Sequence, residues 1–261
     1  MLYNIAPNTM AFSVERRTDD VEQPYAGFNV TPYTGDLPSH VRSCQQRLAD
    51  YLRIPLGNLV IPHQTHGTRC AIITPQLLAS KNREAALDDI DAVITDMPEV
   101  CIGVSTADCL PILLYDAATG AVGAVHAGWR GTVARIVVLT IARMYEAFGT
   151  QSSDLRCILG PCIGPSAFEV HDDVYDAFHQ AGFPMAQVAT RITSPGARTA
   201  RKWYINLWGA NEWLLQRVGV PAQNITVAGV CSYTEYNRFF SARRLGINSG
   251  RTFTGILRHE V

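Results

Sequence analysis

The sequence predicts sheets covered by helices, an α+β protein, and three observations predict it. Of 261 residues, 47% are apolar and 17% charged, the balance of a folded chain with a sizeable core. Helix-periodic and β-rich runs alternate along the chain. No internal repeat or low-complexity linker divides it, so residues 1–261 read as a single domain.

The elements follow in order. Residues 39–52 carry apolar side chains at Val41, Cys44, Leu48 and Leu52, one face of a helix, with Pro38 suited to its first turn. Short β-rich runs follow at 68–74, 91–95, 100–105, 112–115 and 121–126. A second helix is expected over 133–148, where Val133, Ile136, Val137, Thr140, Ile141, Met144 and Phe148 share a face. Thr132 is positioned to cap its start and Gly149 its end. A strand at 156–159 precedes a weaker helix marked by Val170, Val174 and Phe178. The stretch 190–201, rich in Thr and Arg and containing Pro195-Gly196, reads as an exposed loop. A helix over 207–218, opened by Asn206 and closed by Gly219 and Pro221, leads to a last strand at 225–230.

Composition excludes several function classes. Formal net charge is −1 and neither half has a basic excess, which argues against a nucleic-acid partner. The N-terminus lacks a positive segment followed by a long apolar one. The longest apolar run, 136–142, falls far short of the roughly 20 residues a bilayer needs. A soluble cytoplasmic protein without membrane attachment is expected. Seven cysteines, an odd number, argue against a disulfide framework; Cys70, Cys101 and Cys157 in β-rich runs read as small buried hydrophobes.

Polar, ligand-capable residues interrupt the strands in three places: His63-Gln64-Thr65-His66-Gly67, Thr106-Ala107-Asp108-Cys109-Leu110-Pro111, and His126-Ala127-Gly128-Trp129-Arg130-Gly131. Cys109 and His126 are 17 residues apart, room for a strand, a turn at 117–120 and a strand back, so both side chains can meet at one end of a hairpin. A thiolate and an imidazole that meet form either a metal site or a nucleophile–base pair. His66 offers a third donor, and three protein donors suit zinc with a fourth position open. In an extended segment His63 and His66 face opposite sides, leaving one of them to reach the site. His40, His171 and His179 read as surface residues.

These segments resemble the multicopper polyphenol oxidase-like family, also called the laccase-domain or purine nucleoside phosphorylase family. Gln64-Thr65-His66-Gly67, Thr106 to Pro111 and His126 to Gly131 are similar to its hallmark motifs, as are Leu159-Gly160-Pro161-Cys162-Ile163-Gly164 and Phe239-Phe240-Ser241-Ala242-Arg243-Arg244. The resemblance implies a layered α/β/β/α arrangement with mixed sheets, similar to the deamidase domain of cytotoxic necrotizing factor. It implies zinc on His66, Cys109 and His126, with copper the less favoured metal. It also implies phosphorolysis of adenosine, inosine and methylthioadenosine, with adenosine deamination as a further activity. Two stretches depart from the family pattern, Ser13 to Thr18 and Cys44-Gln45, and bear on the substrate rather than the metal.

Three functions compete on this reading. The first is zinc-assisted nucleoside phosphorolysis or deamination, with a nucleoside and phosphate as small-molecule partners. Arg130, Arg243 and Arg244 are its candidate phosphate holders, and Asp108, with Cys109 and His126, a candidate for orienting a ligand or moving a proton. The second is a metal-free Cys109–His126 hydrolase or amidase acting on peptidoglycan precursors. A copper polyphenol oxidase comes last, because the chain has seven histidines and at most two fit one site with Cys109.

Overall fold

The computed structural model describes residues 1–193 and 201–260. Two mixed sheets form its centre. The first has five strands in the order Leu2–Ala6, Thr9–Ser13, Thr252–Arg258, Cys101–Thr106 and Leu59–Val60. The second has six, in the order Ile225–Val227, Leu155–Leu159, Leu110–Asp116, Val122–Ala127, Ala92–Thr95 and Cys70–Ile72. A three-stranded sheet joins Glu169–Val170, Arg201–Ile205 and Ala189–Thr193.

Alternation along the strands builds the layers. In Cys101–Thr106, Ile102 and Val104 face the second sheet, meeting Leu113, Val122, Ala124 and Ile158. Cys101 faces the other way, with Phe12, Phe253 and Leu257, onto Cys44, Leu48 and Leu52 of the helix Pro38–Leu52. The far side of the second sheet, including Ile112, Leu114, Val125 and Cys157, packs on the helices Ile136–Phe148 and Leu207–Arg217. The result is helix, sheet, sheet, helix, each interface an apolar layer.

Several elements sit where the periodicity puts them. Cys44, Leu48 and Leu52 are buried on one face of Pro38–Leu52. The Asn206 side chain accepts from the Gly209 amide and caps Leu207–Arg217. Gly149 ends Ile136–Phe148 at φ 76°.

The expected helix over 133–148 is two helices, Trp129–Val133 and Ile136–Phe148, separated by Arg135 at φ 60°. Thr132 therefore caps nothing: it is buried, donating to the Ala127 carbonyl and accepting from Asn211 Nδ2. The expected loop at 190–201 is partly strand, because Ala189–Thr193 pairs antiparallel with Arg201–Ile205; residues 194–200 lie outside the described ones. Val170 belongs to the strand before the helix Asp172–Gln180 rather than to that helix.

The segment 16–31, which leads to the site, is tied down by Arg16. This side chain is fully buried, yet its guanidinium donates to the carbonyls of Ala26, Val21 and Tyr236 at 2.8, 2.8 and 3.1 Å, and also to Gln23. Its charge lies 5.0 Å over the Phe240 ring. In the Ser13 to Thr18 departure, then, Arg16 organises the chain through main-chain carbonyls. Arg16→Met keeps the bulk and removes every donor, costing the four main-chain carbonyls it serves a hydrogen bond of about 0.5–1.5 kcal/mol each. We expect urea unfolding to show a loss of about 3 kcal/mol; an unchanged midpoint would show that the tie contributes nothing.

Candidate functional site

The strands Leu110–Asp116 and Val122–Ala127 form an antiparallel hairpin with Leu110 opposite Ala127 and Pro111 opposite His126. Cys109, one residue before the first strand, therefore stands beside His126 at the open end. His66 arrives from the connection between Leu59–Val60 of one sheet and Cys70–Ile72 of the other. One donor atom from each of His66, Cys109 and His126 lies within 4.8 Å of the other two. Among the described residues this is the one such group of three or more His, Cys, Asp or Glu side chains.

Asp91 assembles the group. It is fully buried at the edge of Ala92–Thr95, and its Oδ1 meets Nδ1 of His126 at 2.7 Å. The same oxygen accepts the His66 amide at 2.9 Å, while Oδ2 accepts the amides of Gly67 at 2.8 Å and Thr65 at 3.2 Å. One carboxylate thus closes the turn that carries one histidine and fixes the ring of the other. With Nδ1 of His126 engaged, Nε2 is left as the donor toward Cys109. His66 sits at φ 67° and Asp108 at φ 86°, left-handed conformations that cost non-glycine residues about 1–3 kcal/mol each.

Glycine and glutamine complete the framing. A Cβ on Gly128 would lie 2.9 Å from Cys109 Sγ and 3.2 Å from His66 Cδ2, so no larger residue fits behind the donors. Gln64 presents its side-chain amide to Ser105 as a strand would, donating to the Ser105 carbonyl at 2.8 Å and accepting its N–H at 2.7 Å. This holds the His66 turn against the end of Cys101–Thr106.

The donors lie in a cleft of about 140 Å³ whose walls include Thr31, Tyr33, His63, Thr106, Ile247 and Arg251. His126 is buried, Cys109 partly exposed and His66 exposed. Burial pushes the Cys109 thiol up, but the charge of His126 and hydrogen bonds from His126 and His66 outweigh it and hold it at about 6. Burial lowers the His126 pKa, but the thiolate and Asp91 win and raise it to about 9. Without a metal the pair is a thiolate–imidazolium couple over that interval.

The other sequence candidates lie elsewhere. Both carboxylate oxygens of Asp108 are engaged, accepting Ser232 Oγ at 2.7 Å and the Arg243 amide at 2.6 Å. Arg130 is exposed and stacks over Trp129 at 4.2 Å. The guanidinium of Arg243 donates to the Glu169 carbonyl, and Arg244 lies over Tyr236 at 4.5 Å. None of these three arginines is among the residues lining the cleft, whereas Arg251 is. Arg251 donates to the carbonyls of Ser249, Gly250 and Ile247 and makes no ion pair among the described residues. Gln45 donates to the Val30 carbonyl and braces the cleft wall rather than facing it.

A family model described as multi-copper polyphenol oxidoreductase laccase matches residues 10–259. The chain belongs to this family. It is 42% identical over 255 residues to a protein of Bacteroides thetaiotaomicron named purine nucleoside phosphorylase, covering 97% of this chain and 93% of that one. It is also 42% identical over 250 residues to adenosine deaminase RL5 of an unknown prokaryotic organism, covering 95% and 93%. Among solved structures, YlmD of Geobacillus stearothermophilus superposes with a TM-score of 0.86 at 30% identity, over 98% of this chain and 94% of that one. YfiH of Bacillus licheniformis gives 0.86 at 26% identity, over 99% of both. The five motifs read from the sequence thus led to the right family, and the α+β class agrees with these neighbours.

Asp91, like Arg251, was missed in the sequence, and Asp91→Asn should weaken metal binding about 10–100-fold, since the amide cannot accept from all four groups. Cys109→Ala, which removes the anionic donor, should weaken it further. In the metal-free protein one proton sits on His126 between about 6 and 9, and a second on Cys109 below about 6. Metal must displace these protons, so affinity should rise with pH up to about 9 and fall more steeply below about 6. Competition with a chromophoric chelator across that range measures all three effects. A pH-independent affinity would show that the thiol and imidazole are not donors.

Proposed function

We propose that this protein is a zinc-dependent purine nucleoside phosphorylase, acting on adenosine, inosine and methylthioadenosine. The observation that carries the reading is the convergence of His66, Cys109 and His126 in a cleft that also holds Arg251, which makes no ion pair among the described residues. The relative named purine nucleoside phosphorylase supports the reaction type.

The donor set fits zinc: one thiolate and two imidazoles, with His126 oriented through its other nitrogen by a buried carboxylate. Three donors hold one ion and leave a position open, which does not match a centre needing several coppers. When bound, zinc supplies Lewis-acid charge at that open position. The chain's own groups do the rest. Arg251 offers its guanidinium to phosphate, its orientation fixed by main-chain carbonyls. Thr106 and the Thr31–Ser105 hydroxyl pair offer hydrogen bonds to a ribose, and the walls bring phosphate and the anomeric carbon together. Asp108 acts by position, tying Ser232 and the Arg243 amide to the Cys109 turn.

Adenosine deamination is the second reading, favoured by the relative named adenosine deaminase. Products separate the two. Inosine with phosphate should give hypoxanthine and ribose 1-phosphate, and nothing without phosphate; adenosine giving only inosine would replace phosphorolysis by deamination. Arg251→Gln should raise KM for phosphate by at least about tenfold, the effect of losing one charge-assisted hydrogen bond of roughly 1.5–3 kcal/mol. Arg130→Gln should leave it unchanged.

A further inference from the structure

His63 lines the cleft but is not one of the three converging donors. The fold fixes it closely. Its N–H donates to the Leu87 carbonyl at 2.9 Å and its carbonyl accepts from Ile90 at 3.0 Å, a bridge to the segment running into Asp91. Its Nδ1 meets Asp88 Oδ1 at 2.6 Å, and the Tyr33 ring lies 4.4 Å away at 31°. With Nδ1–H given to a carboxylate, Nε2 is the free ring nitrogen, on a side chain 41% exposed at the cleft wall. A histidine–aspartate pair of this kind moves protons, and a flat aromatic neighbour suits a planar base.

We propose that His63 is a catalytic acid that protonates the departing purine, with Asp88 as its positioning residue and Tyr33 as the wall on which the base stacks. The inference rests on phosphorolysis being the reaction. The bond between the anomeric carbon and the purine N9 breaks, and its electron pair passes into the purine ring. His63 acts from its imidazolium form: Nδ1–H stays with Asp88, and the proton on Nε2 goes to the imidazole nitrogen of the purine, N7, so the base leaves neutral. A phosphate oxygen forms the new bond to the anomeric carbon, and the proton that phosphate then loses restores His63 through solvent.

A purine already carrying a positive charge needs no such proton. Inosine and 7-methylinosine, whose N7 is quaternised, therefore separate leaving-group acid catalysis from binding or structural roles. His63→Gln should lower kcat on inosine by about 100-fold or more, the usual worth of general acid catalysis, and change kcat on 7-methylinosine by less than about threefold. Asp88→Asn should lower kcat on inosine by about tenfold with the same sparing of 7-methylinosine. Metal content and melting temperature of both variants report folding separately. Equal losses on both substrates, or no loss on either, would overturn the role of His63 while phosphorolysis stands. A wild-type protein that cleaves neither substrate in phosphate would overturn the proposed reaction and this role with it.

Discussion

The site depends on one buried carboxylate. Asp91 is shielded from water, and a charge in that position is tolerated only when its oxygens are fully engaged. Three consecutive amides and an imidazole engage them, and a pKa held below the usual carboxylate range, against the opposing effect of burial, follows from those partners. The arrangement is reciprocal. The amides can converge only because His66 takes a left-handed conformation, and that conformation persists because the carboxylate collects them. Removing the charge loosens a turn and a ring at once.

Around that anchor the two sheets share the work. Cys109 and His126 come from a hairpin of the six-stranded sheet, whereas His66 lies on the connection from the five-stranded one. Gln64 fastens that connection to Ser105 by imitating a strand, and Thr31 reaches the same serine from the other side. His126 thus stands on a paired strand and Cys109 at the entry to one, while His66 comes from a loop that these tethers hold in place.

Much of this was legible in the sequence where local chemistry repeats a pattern. The helix Pro38–Leu52 shows its buried face at Val41, Cys44, Leu48 and Leu52, and the hairpin bringing Cys109 to His126 follows from spacing and a turn. The strands Leu2–Ala6, Thr9–Ser13 and Thr252–Arg258 went unread. Thr252–Arg258 is buried on both faces through Leu257, so no polar alternation marks it, and the N-terminal pair is short. Asp91 looked like the polar start of a strand, because nothing local shows that its partners lie 24 to 35 residues away. Arg251 escaped for the same reason, its place in the cleft being set by the sheet that delivers it. The arginines of the matched motifs drew attention instead, yet their charges face Trp129, Tyr236 and a main-chain carbonyl.

The position of Thr252–Arg258 has a consequence for how the chain is made. This strand lies between Thr9–Ser13 and Cys101–Thr106, bonded to both, so two early segments have no contact in the sheet until a very late one slots between them. During synthesis the six-stranded sheet has all its strands once residue 227 has left the ribosome, but the five-stranded one stays open until residue 258 emerges. The apolar faces of Ile102 and Val104 wait for that closure. Late, long-range pairing of this kind is slow and leaves strand edges exposed in the interim.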